Sequence, residues 1–276
     1  MPATSPATSP AVVVPIYKTT LTPAERVSID RTAEVLAARE VFLVGPARLQ
    51  AHLQALAAGY GPRVRHRTFD DRYFASIGGY NRLMRSRVFY QAFADFSHVL
   101  ICQTDALVLS DQLDRWCASP WAYIGAPWFE GGSQPVQPLR FDGVGNGGFS
   151  LRRVQDCLRV LAGLRRVPNF IKSRAGRPTG LRRLVRRIKH EWILAYTVEP
   201  LFPSSNEDAF WGVLVPAACP FFRVPSPEEA LAFAFEVAPR HLYELNGRQL
   251  PFGCHAWERC DEAFWRERLP FLQAAA

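Results

Sequence analysis

The sequence predicts an α/β domain built on a mostly parallel sheet, and three features of the chain carry that prediction. Val99 to Cys102 are four consecutive apolar residues, the pattern of a strand covered on both faces, as strands of parallel sheets are. Apolar runs alternate with helical patterns over the first half of the chain. The chain has 276 residues, 48% of them hydrophobic, which is enough to bury a sizeable core in one large domain.

Three strands and two helices are expected before residue 70. Ala11 to Tyr17, a run rich in valine, is the first predicted strand. Thr22 to Glu25 has a threonine N-cap, a proline at the first helical position and a glutamate at the third, which predicts a helix to about Arg39. The remaining elements are a strand at Val41–Val44, a helix from Pro46 to about Ala58, and a strand at Arg63–Phe69.

The rest of the chain continues the alternation. A helix that begins near Tyr80 leads to the buried strand Val99–Cys102, and Gln103-Thr104-Asp105 follows that strand directly. The later expected elements are a helix from Ser110 to Cys117, strands at Ala122–Ala126 and Phe149–Leu151, a basic helix at Arg153–Leu164, an apolar helix at Ala209–Val215, a strand at Phe221–Val224 and a helix from Pro227 to about Phe235.

The N-terminus and one internal segment differ in composition from the predicted domain, which we place at residues 12–273. Residues 1–11 repeat Ala-Thr-Ser-Pro twice, which predicts a disordered tail. Between Arg152 and Lys189, thirteen Lys or Arg residues stand against a single acidic residue, Asp156. We interpret residues 165–192 as a basic surface insertion.

The charge and the cysteines restrict the partners and the compartment. The net charge of +8 favours an anionic partner, which could be a nucleic acid, an anionic membrane surface or a phosphorylated substrate. No apolar stretch approaches the roughly 20 residues that cross a bilayer, and the N-terminus lacks the pattern of a secretory signal. Six cysteines without a C-x-x-C pair favour a reducing compartment. We therefore predict a cytoplasmic protein, in which residues 152–189 either contact the inner face of a membrane or are simply solvated.

Asp105 is the first candidate for a functional residue. It lies just past a buried strand, where open α/β sheets collect their ligands, and a second apolar run, Ala106–Leu109, follows it. A carboxylate between two buried runs needs a partner, because an unpaired buried charge is very costly. That partner could be a metal ion, an arginine or backbone N–H groups. The alternative is that Asp105 only caps a turn.

The order of these segments resembles that of nucleotide-sugar glycosyltransferases of the GT-A fold. In family 8 of these enzymes, a Tyr-x-Arg-Leu helix precedes a strand that ends in Asp-x-Asp. Here Tyr80, Arg82 and Leu83 match the helix. Asp105 matches the second aspartate, whereas Gln103 stands in place of the first. The resemblance therefore implies a site with less negative charge than a complete Asp-x-Asp would have.

Taken whole, the chain resembles the domain-of-unknown-function 5672 family, which is regarded as glycosyltransferase-like. This resemblance runs from about Val12 to Trp265. The segments that carry it are QTDALVL, YIGAPWF, VGNGGFSLRR, NEDAFW, FEV and LNGRQLPFGCHAW. It implies the GT-A fold and sugar transfer, and it does not specify a substrate.

The resemblance also implies a site for a nucleoside-diphosphate sugar and a divalent cation, Mn²⁺ or Mg²⁺. Negative charge grows on the departing diphosphate, and a cation stabilises it. Asp105 and His255 are the implied metal ligands; a loop histidine that caps or stacks is the alternative for His255. The residues expected to bind the donor are Lys18, Arg82, Gln103, Asp105, Asn146, Gly147 and Gly148. For Arg82 the alternative is an ordinary surface arginine, and for the glycine loop a plain tight turn.

Glu207-Asp208 resembles the acidic motif that holds the catalytic base in inverting GT-A enzymes. A base of this kind takes the proton from the acceptor hydroxyl as it attacks the anomeric carbon. Asp208 is the first candidate for this base and Glu207 the second. The alternative is structural, because Ser-Asn-Glu-Asp is also a favourable sequence for a helix N-terminus.

The functional prediction is a glycosyltransferase of surface polysaccharide or glycan synthesis that moves a sugar from a nucleoside diphosphate to an acceptor hydroxyl. Inversion of the anomeric centre is predicted only through Asp208. The acceptor is expected to be a glycan or a lipid-linked carrier, and nucleic acid is the less favoured partner. The alternative is a non-catalytic protein that binds a nucleotide sugar or a nucleic acid. A metal-dependent hydrolase is a third option, but no cluster of His and Asp lies close in sequence to support it.

Overall fold

A computed structural model describes residues 9–162 and 206–273 of the chain. Most of the predicted N-terminal tail (residues 1–8) and the predicted basic insertion (residues 165–192) lie outside these ranges. The first strand begins at Ala11, whose side chain is fully buried, so this strand starts one residue before the predicted domain boundary.

The architecture is organised on a six-stranded sheet. Its strands are β1 (Ala11–Pro15), β2 (Glu40–Pro46), β3 (Val64–Phe69), β4 (His98–Cys102), β6 (Tyr123–Ile124) and β9 (Phe149–Arg153). They lie in the order β3-β2-β1-β4-β9-β6. Strands β1 to β4 pair in parallel, whereas β9 runs antiparallel to both of its neighbours. The sheet is therefore mostly parallel, as the apolar runs predicted.

The central strands are buried on both faces because successive side chains enter different apolar clusters. Val13 of β1 packs with one cluster, which also holds Phe42 and Ile101. Val12 and Val14 pack on the opposite face, in the cluster that holds Leu43 and Leu100. A strand with cores on both sides needs apolar residues at every position, which explains the uninterrupted run that ends in Cys102.

Helices cover both faces of this sheet. On one face lie α1 (Pro23–Val35), α2 (Gln50–Ala58) and α5 (Leu113–Cys117). The opposite face is covered by α3 (Ile77–Met84), α4 (Arg87–Ala92), α6 (Val154–Ala162) and the helical segment that begins at residue 207. The start of α1 confirms the predicted capping box, in which Thr22 and Glu25 each accept a hydrogen bond from the backbone of the other residue.

A second, three-stranded sheet carries the chain out of the main sheet. It contains β5 (Leu107–Val108), β10 (Ala234–Phe235) and β11 (Gly253–Cys254), in the order β10-β11-β5. Strand β11 is parallel to β10 and antiparallel to β5. A hairpin of β7 (Ala126–Phe129) and β8 (Phe141–Gly145) forms a separate two-stranded sheet.

The C-terminal third holds short helices around a third apolar cluster that includes Trp257 and Trp265. From residue 207 the chain forms α7 (Glu207–Ala209), a π-helical turn (Phe210–Leu214) and α8 (Val215–Ala218). The later helices are α9 (Pro227–Ala230), α10 (Pro239–Leu245), α11 (Glu262–Arg268) and α12 (Pro270–Gln273).

Several predicted elements differ from the observed ones. The predicted strand at Phe221–Val224 is wrong: this segment is irregular, and its buried Phe222 ring stacks on Trp211. The helix predicted from Pro227 to Phe235 ends at Ala230, since the chain then enters β10. The helix near Tyr80 is two helices, because the Ser86 hydroxyl caps a new one by accepting a hydrogen bond from Phe89 N–H.

Candidate active site

A cleft of about 660 Å³ opens where strands β1 and β4 end, at the edge of the sheet where α/β folds bind ligands. Residues from both ends of the described chain and from its middle converge on this cleft. Its lining comprises Pro15, Tyr17, Glu25, Phe74, Ser76, Ile77, Tyr80, Asn81, Gln103, Thr104, Asp105, Gly147, Gly148, Asn206, Glu207, Asp208, His255 and Arg259.

The small sheet brings Asp105 and His255 together, although 150 positions separate them in the sequence. Asp105 immediately precedes the segment that enters β5, and His255 immediately follows β11, which pairs antiparallel with β5. The Trp257 N–H also donates a hydrogen bond to the Asp105 carbonyl, at 3.4 Å. Glu236 follows β10, the parallel neighbour of β11, and so lies beside His255. Strand register therefore assembles a carboxylate–imidazole–carboxylate group.

The two imidazole nitrogens of His255 face different carboxylates. Nδ1 lies 2.8 Å from Glu236 Oε1, within hydrogen-bond geometry. Nε2 lies 3.1 Å from Asp105 Oδ1, but the direction is poor for a hydrogen bond, so we describe this contact as an ion pair. Burial lowers the pKa of His255, but the two carboxylates outweigh burial and raise it to about 9. The histidine is therefore a cation at neutral pH when no other cation occupies the site.

Asp105 has a second cationic partner at the mouth of the cleft. Arg259 Nη2 donates a hydrogen bond of 3.0 Å to Asp105 Oδ2. Burial raises the pKa of Asp105, but His255 and Arg259 outweigh it, so that the net pKa is lowered. Asp105 is therefore ionised, with one oxygen against the imidazole and the other against the guanidinium.

The glycine loop lies beside Gln103 because strands β4 and β9 extend their pairing by one residue. Gln103 N–H donates a hydrogen bond of 2.7 Å to the Gly148 carbonyl. A Cβ atom at Gly148 would lie 2.0 Å from His255 Nε2, and one at Gly147 would lie 2.2 Å from Glu207 Oε1. These two glycines are thus required for the close approach of the His255 and Glu207 side chains, in addition to lining the cleft.

Glu207 is held by a buried arginine beneath the cleft. Arg152 Nη2 donates a hydrogen bond of 2.9 Å to Glu207 Oε1, and Nη1 lies 2.8 Å from Oε2. The Arg152 side chain is 0% exposed and that of Glu207 3%. Burial raises the pKa of Glu207 and Arg152 opposes this rise. Since arginine stays protonated in proteins, we treat the pair as ionised.

Asp208 follows Glu207 in the chain and also lines the cleft. Its Oδ1 accepts a hydrogen bond of 2.8 Å from Ala209 N–H, within the first turn of α7. Burial is the main cause that raises the pKa of Asp208; hydrogen bonds from the backbone of Ala209 and Gly147 oppose it. A carboxylate with a raised pKa is a stronger proton acceptor than an ordinary aspartate.

The other sequence candidates lie at or beyond the edge of the cleft. Lys18 is paired with Glu25, at 2.8 Å between Nζ and Oε2, and Glu25 lines the cleft. Arg82 is exposed and is not among the lining residues. Asn146 is buried, and its Oδ1 accepts hydrogen bonds from the N–H groups of Gly148 and Phe149. The role visible for Asn146 is therefore to shape the glycine loop.

Sequence reasoning missed four residues of this region: Tyr80, Arg152, Glu236 and Arg259. Tyr80 stands in the Tyr-x-Arg-Leu motif and lines the cleft, in place of the expected Arg82. Glu236 lies in the FEV segment, and Arg259 lies four residues after His255. Nothing in the sequence connects Arg152 with Glu207, because their contact depends on how the segment after the described gap returns to β9.

The side chains around Asp105 are compatible with a divalent cation that takes two ligands from the protein and the others from substrate phosphates. Residues 9–162 and 206–273 contain no group of three or more His, Cys, Asp or Glu arranged to hold a metal ion. Asp105 and the Nε2 atom of His255, which is buried and lacks a hydrogen bond within these residues, offer two ligands. Glu236 on Nδ1 would hold the imidazole as carboxylates commonly hold metal-binding histidines. Two protein ligands suffice where substrate phosphates supply the others.

Residues 63–255 match the family described as "Protein of unknown function (DUF5672)". The chain belongs to this family. The match covers more than half of the chain and includes the site residues from Tyr80 to His255, so it confirms the family resemblance of the sequence. No curated protein matches the sequence.

Solved structures confirm the predicted fold of this DUF5672 member. The galactosyltransferase LgtC in complex with donor and acceptor sugar analogues is similar with a TM-score of 0.52 and 14% identity, over 96% of this chain and 95% of that chain. An active-site mutant of LgtC gives a TM-score of 0.51 at 14% identity, over 96% and 95% of the chains. The apo form of mouse xyloside xylosyltransferase 1 gives 0.47 at 9% identity, over 90% and 97%. The LgtC structures show a GT-A fold; at this identity they show the fold alone.

The described residues test the predicted membrane contact of residues 152–189 only in part. No helix within the described ranges is both long and apolar enough to cross a bilayer. Arg152, the first residue of the basic region, is fully buried and cannot contact lipid. Arg153 is committed to Asp156, His98 and the Ser119 carbonyl. The other basic residues of the region are Arg159, which is exposed, and those within residues 163–189, which lie outside the described chain.

Proposed function

We propose that this protein is a glycosyltransferase that moves a sugar from a nucleoside-diphosphate donor to an acceptor hydroxyl. One observation carries the proposal: Asp105, His255 and Asp208 all line the cleft beyond strands β1 and β4. A group that can hold a cation and diphosphate therefore shares one cleft with a carboxylate that can accept a proton. Both functions are needed for sugar transfer.

In this proposal the donor diphosphate lies against Asp105, His255 and Gln103. A divalent cation, Mn²⁺ or Mg²⁺, supplies charge that stabilises the departing diphosphate when it is bound. Asp105 Oδ1 and His255 Nε2 are the protein atoms that would hold it, with Glu236 fixing the imidazole. Gln103 brings an amide without charge, which suits a contact to phosphate or ribose oxygens. Lys18 pairs with Glu25, a lining residue, and would contribute charge to the cleft if Glu25 released it.

The transfer step requires a base, and Asp208 is the residue we propose for it. The acceptor oxygen forms a bond to the anomeric carbon while the bond from that carbon to the diphosphate oxygen breaks. The hydroxyl proton passes to the Asp208 carboxylate, and the electron pair of the broken bond leaves on the diphosphate. Burial raises the pKa of Asp208, which favours proton acceptance. Glu207 is the weaker candidate, because Arg152 holds both of its oxygens.

Attack with inversion is the course we propose, with Asp208 as the base in a single displacement. A glycan or a lipid-linked carrier is the acceptor class we propose, within surface-glycan synthesis on the cytoplasmic side. The anomeric configuration of the product distinguishes inversion from retention. Retention of configuration would remove Asp208 from the role of base in a single displacement.

The experiment that tests the proposal is donor hydrolysis and transfer with a panel of UDP-, GDP-, CMP- and dTDP-sugars, with and without Mn²⁺. We expect one nucleotide class to be hydrolysed and to raise the melting temperature. Asp105→Asn should abolish turnover while the folded state persists, because it removes the charge on the cation site. Asp114→Asn, in an exposed pair with Arg39, is the matched control and should retain activity. Unchanged turnover in Asp105→Asn would exclude the proposed site.

A second candidate function is a non-catalytic protein that binds a nucleotide sugar. Two observations favour it: Gln103 replaces an aspartate, and both oxygens of Asp105 already face cationic side chains. A protein of this kind would bind a donor or its nucleoside diphosphate without hydrolysing it at any Mn²⁺ concentration. Binding of nucleic acid in the cleft would instead weaken steeply with rising salt.

A further inference from the structure

Asp105 has two cationic neighbours that differ in their freedom to move. His255 is buried and is fixed from behind by Glu236. Arg259, by contrast, has a side chain that is 71% exposed, and it reaches Asp105 Oδ2 from the mouth of the cleft. This contact contributes little to stability, because water solvates the Arg259 guanidinium nearly as well when it has moved away, while His255 stays beside Asp105. The Arg259 side chain can therefore leave Asp105 at low cost.

The backbone under Arg259 is anchored, so that only its side chain needs to move. Arg259 N–H donates a hydrogen bond of 2.9 Å to the Ala256 carbonyl, and Cys260 N–H donates one of 2.8 Å to the same oxygen. Ala256 lies in the left-handed region, with φ 52°, and the adjacent Trp257 is buried in the third apolar cluster. A fixed turn thus presents a long, mobile cation at the rim of the cleft.

We infer that Arg259 is a displaceable counter-ion of Asp105: it releases Oδ2 when a divalent cation binds, and it then binds the donor diphosphate. This inference rests on the proposed function and extends it by assigning a residue to the diphosphate. A divalent cation at Asp105 would repel a guanidinium 3.0 Å from the same carboxylate. A diphosphate beside that cation would attract the guanidinium, which can donate two parallel hydrogen bonds to phosphate oxygens.

This arrangement offers a reason why the site can lack the first aspartate of the Asp-x-Asp pattern. In the absence of donor, Arg259 already supplies a positive charge 3.0 Å from Asp105 Oδ2. When the donor arrives, its phosphates bring the negative charge that Gln103 does not supply. Binding of cation and of diphosphate would therefore be strongly coupled, with Arg259 changing partner between the two states.

The test is calorimetric titration of Mn²⁺ alone, and of UDP and GDP in the presence of Mn²⁺, into the full-length protein. Arg259→Ala removes a competitor for Asp105, so Mn²⁺ alone should bind about two- to fivefold more tightly. The same variant removes a diphosphate contact, so the preferred nucleoside diphosphate should bind about tenfold more weakly. Arg259→Lys, which keeps the charge, should restore the Mn²⁺ affinity of the wild type and part of the nucleotide affinity.

Arg248→Ala is a matched control, because Arg248 is 73% exposed and pairs with Glu244 at 2.8 Å on helix α10. It should change neither affinity. Opposite signs of the two effects in Arg259→Ala support the inference. Equal signs, no change in either affinity, or no Mn²⁺ binding by the wild type would overturn it. Donor hydrolysis is measured separately: its absence in a wild type that binds Mn²⁺ and nucleotide would remove the proposed transfer and leave the Arg259 result intact.

Discussion

Two arginine–carboxylate pairs flank the cleft, and they differ in how far they are removed from water. Arg152 and Glu207 are 0% and 3% exposed, whereas Arg259 and Asp105 are 71% and 31% exposed. The distances are similar, 2.8 Å and 3.0 Å. The same chemical pair can therefore be a fixed part of the core or a removable contact, and burial decides which.

The buried pair fastens one side of the cleft to the main sheet. Arg152 belongs to β9 and Glu207 to the start of α7, so their contact joins the sheet to the segment that holds Asp208. Glu207 also packs against Gly147, which lines the cleft. The pair of Arg259 and Asp105 does not join two elements in this way, because the Arg259 side chain projects from a surface turn. The segment that carries Asp208 is therefore held more firmly than the Arg259 side chain.

The strongest test of this comparison is Glu207→Gln. At neutral pH this variant leaves the Arg152 charge buried without a counter-ion, and we expect a loss of about 3–5 kcal/mol in the free energy of unfolding. Denaturant unfolding measures this loss. The control is Glu34→Gln, which removes the exposed partner of Arg31 and should cost less than about 1 kcal/mol. A similar small loss in both variants would contradict the distinction between the pairs.

The next test concerns Asp208, the residue that the buried pair would position. Asp208→Asn keeps the shape of the side chain but removes its ability to accept a proton. We expect the transfer rate constant to fall by about 10²- to 10³-fold while donor affinity changes less than about twofold. Steady-state kinetics and nucleotide titration separate these effects. An equal loss in rate and in donor binding would show that Asp208 binds the donor instead.

The pH dependence of the free energy of unfolding tests the contacts that His255 makes with Asp105 and Glu236. Despite its burial, His255 has a pKa raised to about 9 by Asp105 and Glu236, above the value of about 6.5 in an unfolded chain. The stabilisation from the protonated imidazole is therefore complete below about pH 6.5 and is lost as the pH rises through about 9. We expect up to about 3 kcal/mol between these limits in protein freed of metal with EDTA. His255→Gln should flatten this slope; an unchanged slope would contradict the assignment.

The smallest expected effect is that of Arg259→Ala on stability. Because the pair is exposed, its loss should reduce the free energy of unfolding by less than about 1 kcal/mol. This value should match that of the control Arg248→Ala in the same denaturant experiment. A loss approaching that of Glu207→Gln would mean that Arg259 is structural and is not free to leave Asp105.

Local sequence patterns were sufficient for several elements and for part of the site. The capping box of Thr22 and Glu25 depends only on residues three apart, and the structure confirms it. The apolar run before Gln103 indicated a strand with two buried faces, and the residue after such a strand in an α/β sheet tends to face a ligand. Asp105 was accessible to sequence reasoning for this reason. The irregular structure of Phe221–Val224 could not be predicted in this way, because a short apolar run fits an irregular core segment as well as a strand.

The partners of these residues were decided by tertiary structure. The contact of Glu236 with His255 follows from the parallel pairing of β10 and β11, and the contact of Asp105 with His255 follows from the antiparallel pairing of β5. These strands are two residues long, too short for a periodic signal in the sequence.

The sequence by itself determined the fold class, the family and the residue types available to the cleft, since those depend on apolar periodicity and on local motifs. Only the folded chain decided that Arg152 is buried against Glu207, that Arg259 is exposed on Asp105, and that Arg82 lies away from the cleft. The physical reason is that charge takes its effect from distance and from exposure to water. Both quantities are properties of the three-dimensional arrangement.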